Sequence, residues 1–549
     1  MTRLLQTAIT ERAGARPEAA AVLSPDGSLT YGELDTASNR LAHMLRELGC
    51  RRGDRVGLLM PKVPAAIVGL LGVLKADAAY VPLDPACPPA RLARMLEVSG
   101  CHSILAAGRT GALLRAVLAC ANLPRRPLLG WQDDAAPPET GMMCAFTAAD
   151  LPALPATLPS SANRDTDLAQ ILFTSGASGA PKGVMITHYG VLQFLEWALS
   201  YFGLSSADRV SQHPPLHFDL STFDVFGTLT VGAQLHLTPP AFNLLPHKLA
   251  QFIRSARLTQ WFSLPSILTL LAKFDVLHQG DFPELRRVIW CGEVIPTPTL
   301  VHWMRCLPHV RFTNLYGPTE TTIASSHYTL TRCPAHEQEE IPIGTACAGE
   351  ELLILDEDLQ PVGDGETGDL YIRGVGLSPG YWSEPERTRS AFLPFPPGTD
   401  TGERIYRTGD RARRGSDGLI YFAGRRDQQI RSRSHRIELG EIEVALATLA
   451  ELRESAVVAV ESQDFEGWMI CCAYVPLSGH SVDPRQLRAR LARLLPTYML
   501  PTRWMRCGTL PRNPDGKVDR PDLRRRFSQA EQQFCEGAIA TAASIPGAR

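Results

Sequence analysis

Two lysines frame the chemistry open to this chain. Lys182 ends a run of small residues, Thr174-Ser175-Gly176-Ala177-Ser178-Gly179-Ala180-Pro181-Lys182-Gly183. Lys517 lies far downstream in Asn513-Pro514-Asp515-Gly516-Lys517-Val518-Asp519-Arg520. Glycines in the first run let backbone N–H groups turn toward an anion without side-chain obstruction. Thr174, Ser175 and Ser178 add hydroxyl donors, and Lys182 adds a compact positive charge. The run reads as a polyphosphate cradle. It is not a Walker loop, because Lys182 stands between Pro181 and Gly183 rather than directly before Ser or Thr. The plain alternative for any Gly/Ser cluster is a solvated turn, and the motifs around this one weigh against it.

The apolar stretch Leu168–Phe173 predicts a strand, which puts the cradle at a strand end. From about residue 17 to 425 such runs alternate with helical stretches, the pattern of α/β layers. Arg55–Met60 and Ala79–Leu83 read as buried strands, with Pro64–Leu74 as the crossover helix between them. Further strands are expected at Arg209–His213, Ala233–Leu237 and Arg287–Trp290, and residues 121–165, rich in Pro, Ala and Thr, as a surface connection. Near residue 350 the texture changes to short strands, Glu351–Asp356 and Gly368–Gly374, predicting a small antiparallel sheet. Beyond Gly424–Arg436 comes an independent α+β pattern: helix 441–448, strands 455–461 and 468–475, helix 483–494. The expected domains are residues 1–426, 427–525 and a disordered tail at 526–549.

At 549 residues the chain is too long for a single core. Its net charge of −2 carries no bulk attraction for nucleic acid or anionic membrane. No run approaches the roughly 20 apolar residues of a membrane span, and Met1–Arg12 reads as a first amphipathic helix rather than a signal peptide. The 13 cysteines are scattered without a Cys-x-x-Cys pair. That argues against a zinc site or a disulfide framework and fits a reducing cytoplasm.

Other motifs recur in a fixed order. They are Leu29-Thr30-Tyr31-Gly32-Glu33-Leu34, Leu74–Asp84, Phe218-Asp219-Leu220-Ser221 and Asn314-Leu315-Tyr316-Gly317-Pro318-Thr319-Glu320. Then come Tyr406-Arg407-Thr408-Gly409-Asp410, Gly424–Gln429 and Leu495–Pro501. With the two lysine runs, this order resembles an amino-acid-activating adenylation domain of nonribosomal peptide synthetases, within the acyl-adenylate-forming superfamily. The likeness covers residues 10–522. It implies a large N-terminal body of α/β layers with a small β-barrel-like subdomain, and a small, mobile α+β C-terminal domain.

The resemblance also implies ATP and Mg²⁺. Thr174, Ser175, Gly176, Ser178, Gly179 and Lys182 would hold the β/γ-phosphates, with Thr319 on the phosphate and Glu320 ligating Mg²⁺. Asp410 would take the ribose hydroxyls, and Arg425 would face ribose or phosphate. Asn314 and Tyr316 would border the adenine, and Phe422 is counted with the nucleotide site. Lys517 would bridge the substrate carboxylate and the α-phosphate, and Asp427 would be the hinge of the C-terminal domain. Two departures stand out. Ala177-Ser178 replaces the usual pair of hydroxyl residues, and Ser434 replaces a glycine after the hinge, which bears on the thioester half-reaction.

Asp219 stands where amino-acid activators place a carboxylate against the substrate ammonium. A buried carboxylate is costly without a cation, so it predicts an amine-bearing substrate. The other pocket positions would be Leu220, Phe223, Phe262, Ile289, Cys291, Leu315, Ile323 and Ala324, with Ser263 as an alternative to Phe262. None is charged, so the expected substrate is neutral and apolar. Leu220 and Phe223 with an aromatic near 262 resemble proline-activating enzymes, making proline or a small cyclic or aliphatic relative the first choice. The chain looks free-standing, loading a separate carrier protein through its phosphopantetheine thiol, and a small MbtH-like helper fits the family. The alternatives are an acyl- or aryl-CoA ligase and an inactive homologue that binds without turnover.

Overall fold

The computed structural model describes residues 3–133, 143–176, 180–398, 402–426, 429–432, 435–461, 468–477, 482–513 and 517–530. They fall into two compact units, Met1–Thr174 with Lys182–Asp427 and Ser175–Pro181 with Gln428–Arg549.

The first unit carries a seven-stranded and a nine-stranded sheet, both mainly parallel. In the seven-stranded sheet Arg55–Leu59 pairs with Ala79–Pro82 and Ser103–Ala106. The near-continuous apolar runs of these strands are those of a sheet covered on both faces. The crossover helix Pro64–Lys75 begins with proline in its first turn and is buried from Ala66 onward. Its last residue, Lys75, is fully enclosed and donates to Asp35 Oδ1, Ser38 Oγ and Asn39 Oδ1 at 2.7–2.8 Å. All of its donors are used locally. The helix Tyr31–Glu47 opens with a capping box, in which the Thr30 and Glu33 side chains accept each other's backbone N–H.

In the nine-stranded sheet the parallel run Gln234–Leu237, Arg209–Gln212, Gln260–Ser263, Arg287–Cys291 and Arg311–Tyr316 turns antiparallel at Ser326–Thr329. The largest buried cluster draws on both sheets and on the helices Tyr31–Glu47, Pro64–Lys75 and His188–Phe202. A third, antiparallel sheet contains Glu350–Leu355, Thr367–Gly374, Arg404–Arg414 and Phe392–Pro394, with Ile420–Arg425 branching from Arg404–Arg414.

The second unit has the hairpin Gln429–Ser432/His435–Glu438 and the helix Leu439–Ala447. Leu452–Glu461 pairs antiparallel with Trp468–Pro476, which takes Arg503–Arg506 as a parallel edge. The helix expected over 483–494 runs from Pro484 to Leu491.

Two expectations are corrected. Residues 121–165 are not merely a surface connection, since Leu128–Trp131 and Phe146–Thr147 extend the seven-stranded sheet and bury Trp131 and Phe146. Both strands are too short to show a period against their Pro/Ala/Thr surroundings. The tail does not begin at 526, because residues 526–530 are helical and Phe527 packs with Leu510 and Leu523. Residues 531–549 lie outside the described residues. All described cysteines are free, and no described helix is long and apolar enough to cross a membrane.

Candidate active site

Lys182 begins the strand Lys182–Thr187, which pairs antiparallel with Leu168–Thr174 in a register that sets Thr174 opposite Lys182. The glycine-rich run is therefore the loop of a hairpin, as its place after an apolar strand suggests. Its Ala177, Ser178 and Gly179 lie outside the described residues, and Ser175 and Gly176 group with the second unit. The Thr174 hydroxyl is buried and finds no hydrogen-bond partner among the described residues. A hydroxyl left so at the mouth of an N–H-rich loop suits a polar ligand.

Lys182 Nζ donates to Glu320 Oε1 at 2.7 Å and to the Tyr381 hydroxyl at 3.1 Å, while Tyr381 donates to the same carboxylate oxygen at 2.9 Å. The ammonium also stands 4.7 Å from the centre of the Tyr381 ring. The Glu320 side chain is fully enclosed and that of Lys182 nearly so. Sequence reading missed Tyr381, which lies within the connection between Thr367–Gly374 and Phe392–Pro394, ahead of the helix Pro385–Ala391.

A second charged group gathers on Asp410, which is 3% exposed. Its carboxylate accepts from the Tyr316 hydroxyl at 2.5 Å and from the Arg425 guanidinium. Arg425 also donates to the Thr408 carbonyl, and Thr408 Oγ1 accepts the Asp410 N–H. The pair follows from sheet register, Asp410 lying directly opposite Arg425. Tyr316 and Phe422 pack against one small apolar cluster of the third sheet. Asn314 donates from Nδ2 to the Pro342 carbonyl at 2.9 Å, and Thr319, itself half-buried, opens the turn Thr319–Thr321, whose other two residues are buried.

The eight side-chain pocket positions all belong to the largest buried cluster. Phe262 lies opposite Ile289, and Cys291 opposite Leu315, so these four share one sheet face. Ser263 pairs with Trp290 on the other face, which places Phe262 on the side of Phe223. The Phe223 ring meets Phe194, Phe202 and Phe262 with centroids 5.5–5.9 Å apart. Ile323 and Ala324 follow a tight turn in which Thr322 and Ile323 both have positive φ, 58° and 74°. That is rare for β-branched residues. Gly317 lets the turn form, since a Cβ there would meet Ala324 Cα at 2.5 Å.

Asp219 is half-buried at the head of Leu220–Thr222, and its carbonyl accepts the Thr222 N–H at 2.9 Å. In the second unit the Lys517 side chain is exposed. Its backbone N–H donates to Asn513 Oδ1 and its carbonyl accepts the Asn513 N–H. Asp427 and Ser434 lie outside the described residues.

One segment ties the first unit's groups together. Between residues 314 and 324, Tyr316 reaches Asp410, Glu320 reaches Lys182, and Leu315, Ile323 and Ala324 enter the apolar cluster. The sequence matches the AMP-binding enzyme family over residues 9–382 and that family's C-terminal domain over residues 441–517. The chain belongs to the AMP-binding enzymes. Among curated relatives it is 35% identical to tyrocidine synthase 3 of Brevibacillus parabrevis over 94% of this chain, but spans only 8% of that protein. Among solved structures it is similar to NpsA-ThdA, an artificially fused adenylation–PCP di-domain from Klebsiella oxytoca. There the identity is 25% and the TM-score 0.75, covering 92% of this chain and 94% of that one. The Vibrio cholerae adenylation domain AlmE, solved with glycyl-adenosine-5'-phosphate, shares the fold at TM-score 0.81 and 24% identity, covering 96% of this chain and 98% of that one.

Outside this site, Cys50, Asp54 and His102 bring ligand-type atoms within 4.8 Å of one another. Asp54 already accepts the Arg51 N–H and faces Arg55 at 3.8 Å. Burial pushes the Cys50 thiol up to about 12. A protonated thiol beside a guanidinium is a poor cation site.

Proposed function

We propose that the chain uses ATP to activate a neutral, apolar amino acid, proline or a small cyclic or aliphatic relative being the first choice. The substrate carboxylate attacks the α-phosphorus, the bond to the β-phosphate bridge breaks, and aminoacyl-AMP and pyrophosphate result. A phosphopantetheine thiol of a separate carrier protein then takes the aminoacyl group, losing its proton as AMP leaves. The observation that carries this reading is the segment 314–324, which joins the Lys182–Glu320 pair, the Asp410–Arg425 pair and the apolar cluster in eleven consecutive residues.

Lys182 and the loop before it suit the β/γ-phosphates, and the unpaired Thr174 hydroxyl agrees in kind. Asp410, an acceptor already oriented by Tyr316 and Arg425, suits the ribose hydroxyls. Asn314, Tyr316 and Phe422 suit the base, Thr319 the phosphate. Glu320, a hard oxygen donor, is the residue that would hold Mg²⁺, whose charge would offset that of the phosphates. Asp219 would receive the substrate ammonium, Lys517 would stabilise charge on the α-phosphate oxygens, and Asp427 would be the hinge. The aromatic wall of Phe223 and Phe262 offers shape and no charge.

The test is trapping of the activated acid with hydroxylamine, followed by a choice of thiol. Hydroxamate formed from neutral amino acids, and label transferred to a phosphopantetheinylated carrier protein rather than to free coenzyme A, supports the reading. Transfer to coenzyme A alone, with acids that lack an amine, would establish the CoA-ligase alternative.

A further inference from the structure

The pocket acid Asp219 lies midway along a segment whose incoming end is hydrogen-bonded to a half-buried cation, Lys62. That segment leaves the strand Arg209–Gln212 at His213 and enters the helical run at Leu220, with Phe223 and Asp224 at its exit. Its middle is a self-bonded turn. Ser221 Oγ donates to the Phe218 carbonyl at 2.6 Å and to the Leu216 carbonyl at 3.2 Å, and the Phe218 N–H donates to the Pro215 carbonyl. A turn tied to itself in this way moves as a body, so its ends decide where Asp219 stands.

At the incoming end, Lys62 reaches across from the residues before the crossover helix. Its Nζ donates to the Gln212 carbonyl at 3.1 Å and to the His213 carbonyl at 2.6 Å. At the outgoing end, Asp224 is 0% exposed, and neither carboxylate oxygen meets a donor at hydrogen-bond geometry among the described residues. Burial pushes the Asp224 carboxyl well above the usual carboxylate range, and the Lys62 charge first and the nearby His213 backbone N–H second draw it back. The converse holds for Lys62, which burial pushes down to about 7 against the pull of Asp224. The cation therefore hydrogen-bonds the carbonyls at one end and acts through its charge on the enclosed acid at the other.

We propose that Lys62, hydrogen-bonded to the Gln212 and His213 carbonyls and acting by its charge on the enclosed Asp224, is a positioning residue for the amino-acid pocket, fixing the incoming end of the 212–224 segment and so setting the place of Asp219. The inference rests on the reading of Asp219 as the ammonium acceptor. It adds a determinant of amino-acid affinity that touches neither substrate.

The experiment is steady-state kinetics on the full chain, with separate KM values for amino acid and ATP. Lys62→Met is expected to raise the amino-acid KM about tenfold while the ATP KM stays within about twofold. Lys62→Arg keeps the cation and is expected within about threefold of wild type. If Lys62→Met does not fold, the isosteric Asp224→Asn carries the test, with an expected rise of about threefold in the amino-acid KM alone. An equal rise in both KM values, or lower stability with both KM values unchanged, overturns the assignment. So does a Lys62→Arg enzyme as impaired as Lys62→Met. Asp219→Ala run alongside separates the two ideas. If Asp219→Ala leaves the amino-acid KM alone, the ammonium reading fails; if it raises that KM while the Lys62 and Asp224 variants do not, only the positioning role fails.

Discussion

The two halves of the candidate site handle buried charge in opposite ways. On the nucleotide side every charged group is already answered at contact distance: Lys182 by Glu320 and Tyr381, Asp410 by Tyr316 and Arg425. On the amino-acid side the wall is apolar, and the enclosed Asp224 has no donor at hydrogen-bond geometry among the described residues. Prepaired charges stay oriented without ligand, which suits binding a constant partner such as a nucleotide. An apolar wall with one placed acid selects by shape and by the presence of an amine. Damage to the first half should impair every substrate alike, and damage to the second should change which substrate is used.

The largest effect should come from breaking a prepaired charge. Lys182→Met leaves Glu320 enclosed without its cation, and about 3–5 kcal/mol of stability should be lost in urea unfolding. A loss under about 1 kcal/mol would mean that Tyr381 alone suffices. Next comes Lys517→Ala, which should lower the adenylation rate about 10²–10³-fold for every amino acid tested. Because its side chain is exposed, the melting temperature should not move. On the other side of the comparison, Asp219→Ala should raise the amino-acid KM about 10–100-fold with the ATP KM unchanged. A matching rise in both would erase the distinction between the halves.

The smallest effect is a pH slope from the helix that backs the apolar wall. His188, at the head of the helix that carries Phe194 and Phe202, accepts the Leu5 N–H on Nδ1, and burial pushes its pKa down to about 4. Its folded value lies below its unfolded value near 6.5, so the unfolded chain takes up the proton first. The stability contributed by neutral His188 is present above pH 6.5 and lost as pH falls toward 4, by at most about 1.4 kcal/mol per pH unit. Glu350, raised to about 8 by burial, contributes with the opposite sign in this range. The difference in stability between wild type and His188→Gln isolates the histidine. That difference should shrink steadily from pH 6.5 to 5, and a constant difference would remove His188 from the account.

Much of this was legible from the chain because the motifs are local. The cradle lies at a strand end as an apolar run before it requires, and the Thr30/Glu33 capping box is readable from spacing alone. The eight side-chain positions come from the family resemblance, and the structure gathers them in one apolar cluster, with Phe262, Ile289, Cys291 and Leu315 on one sheet face. What was not legible depends on contacts distant in sequence. Tyr381 meets Lys182 only through the antiparallel bridge between Val184 and Tyr381, and Lys62 meets Gln212 and His213 only when two sheets pack. The strands Leu128–Trp131 and Arg503–Arg506 escaped because neither stands out as an apolar run, the first lying in Pro/Ala/Thr-rich surroundings and the second beginning and ending in arginine.

The central claim is that this chain adenylates an acid recognised by its amine. ATP–pyrophosphate exchange with proline and with cyclopentanecarboxylate, its amine-free counterpart, tests it directly in wild type and Asp219→Ala, with other neutral amino acids run beside them. The account predicts exchange with proline or another neutral amino acid, none with the amine-free acid, and loss of the exchange in Asp219→Ala. Exchange with cyclopentanecarboxylate at least as fast as with any amino acid, and indifferent to Asp219→Ala, would contradict it.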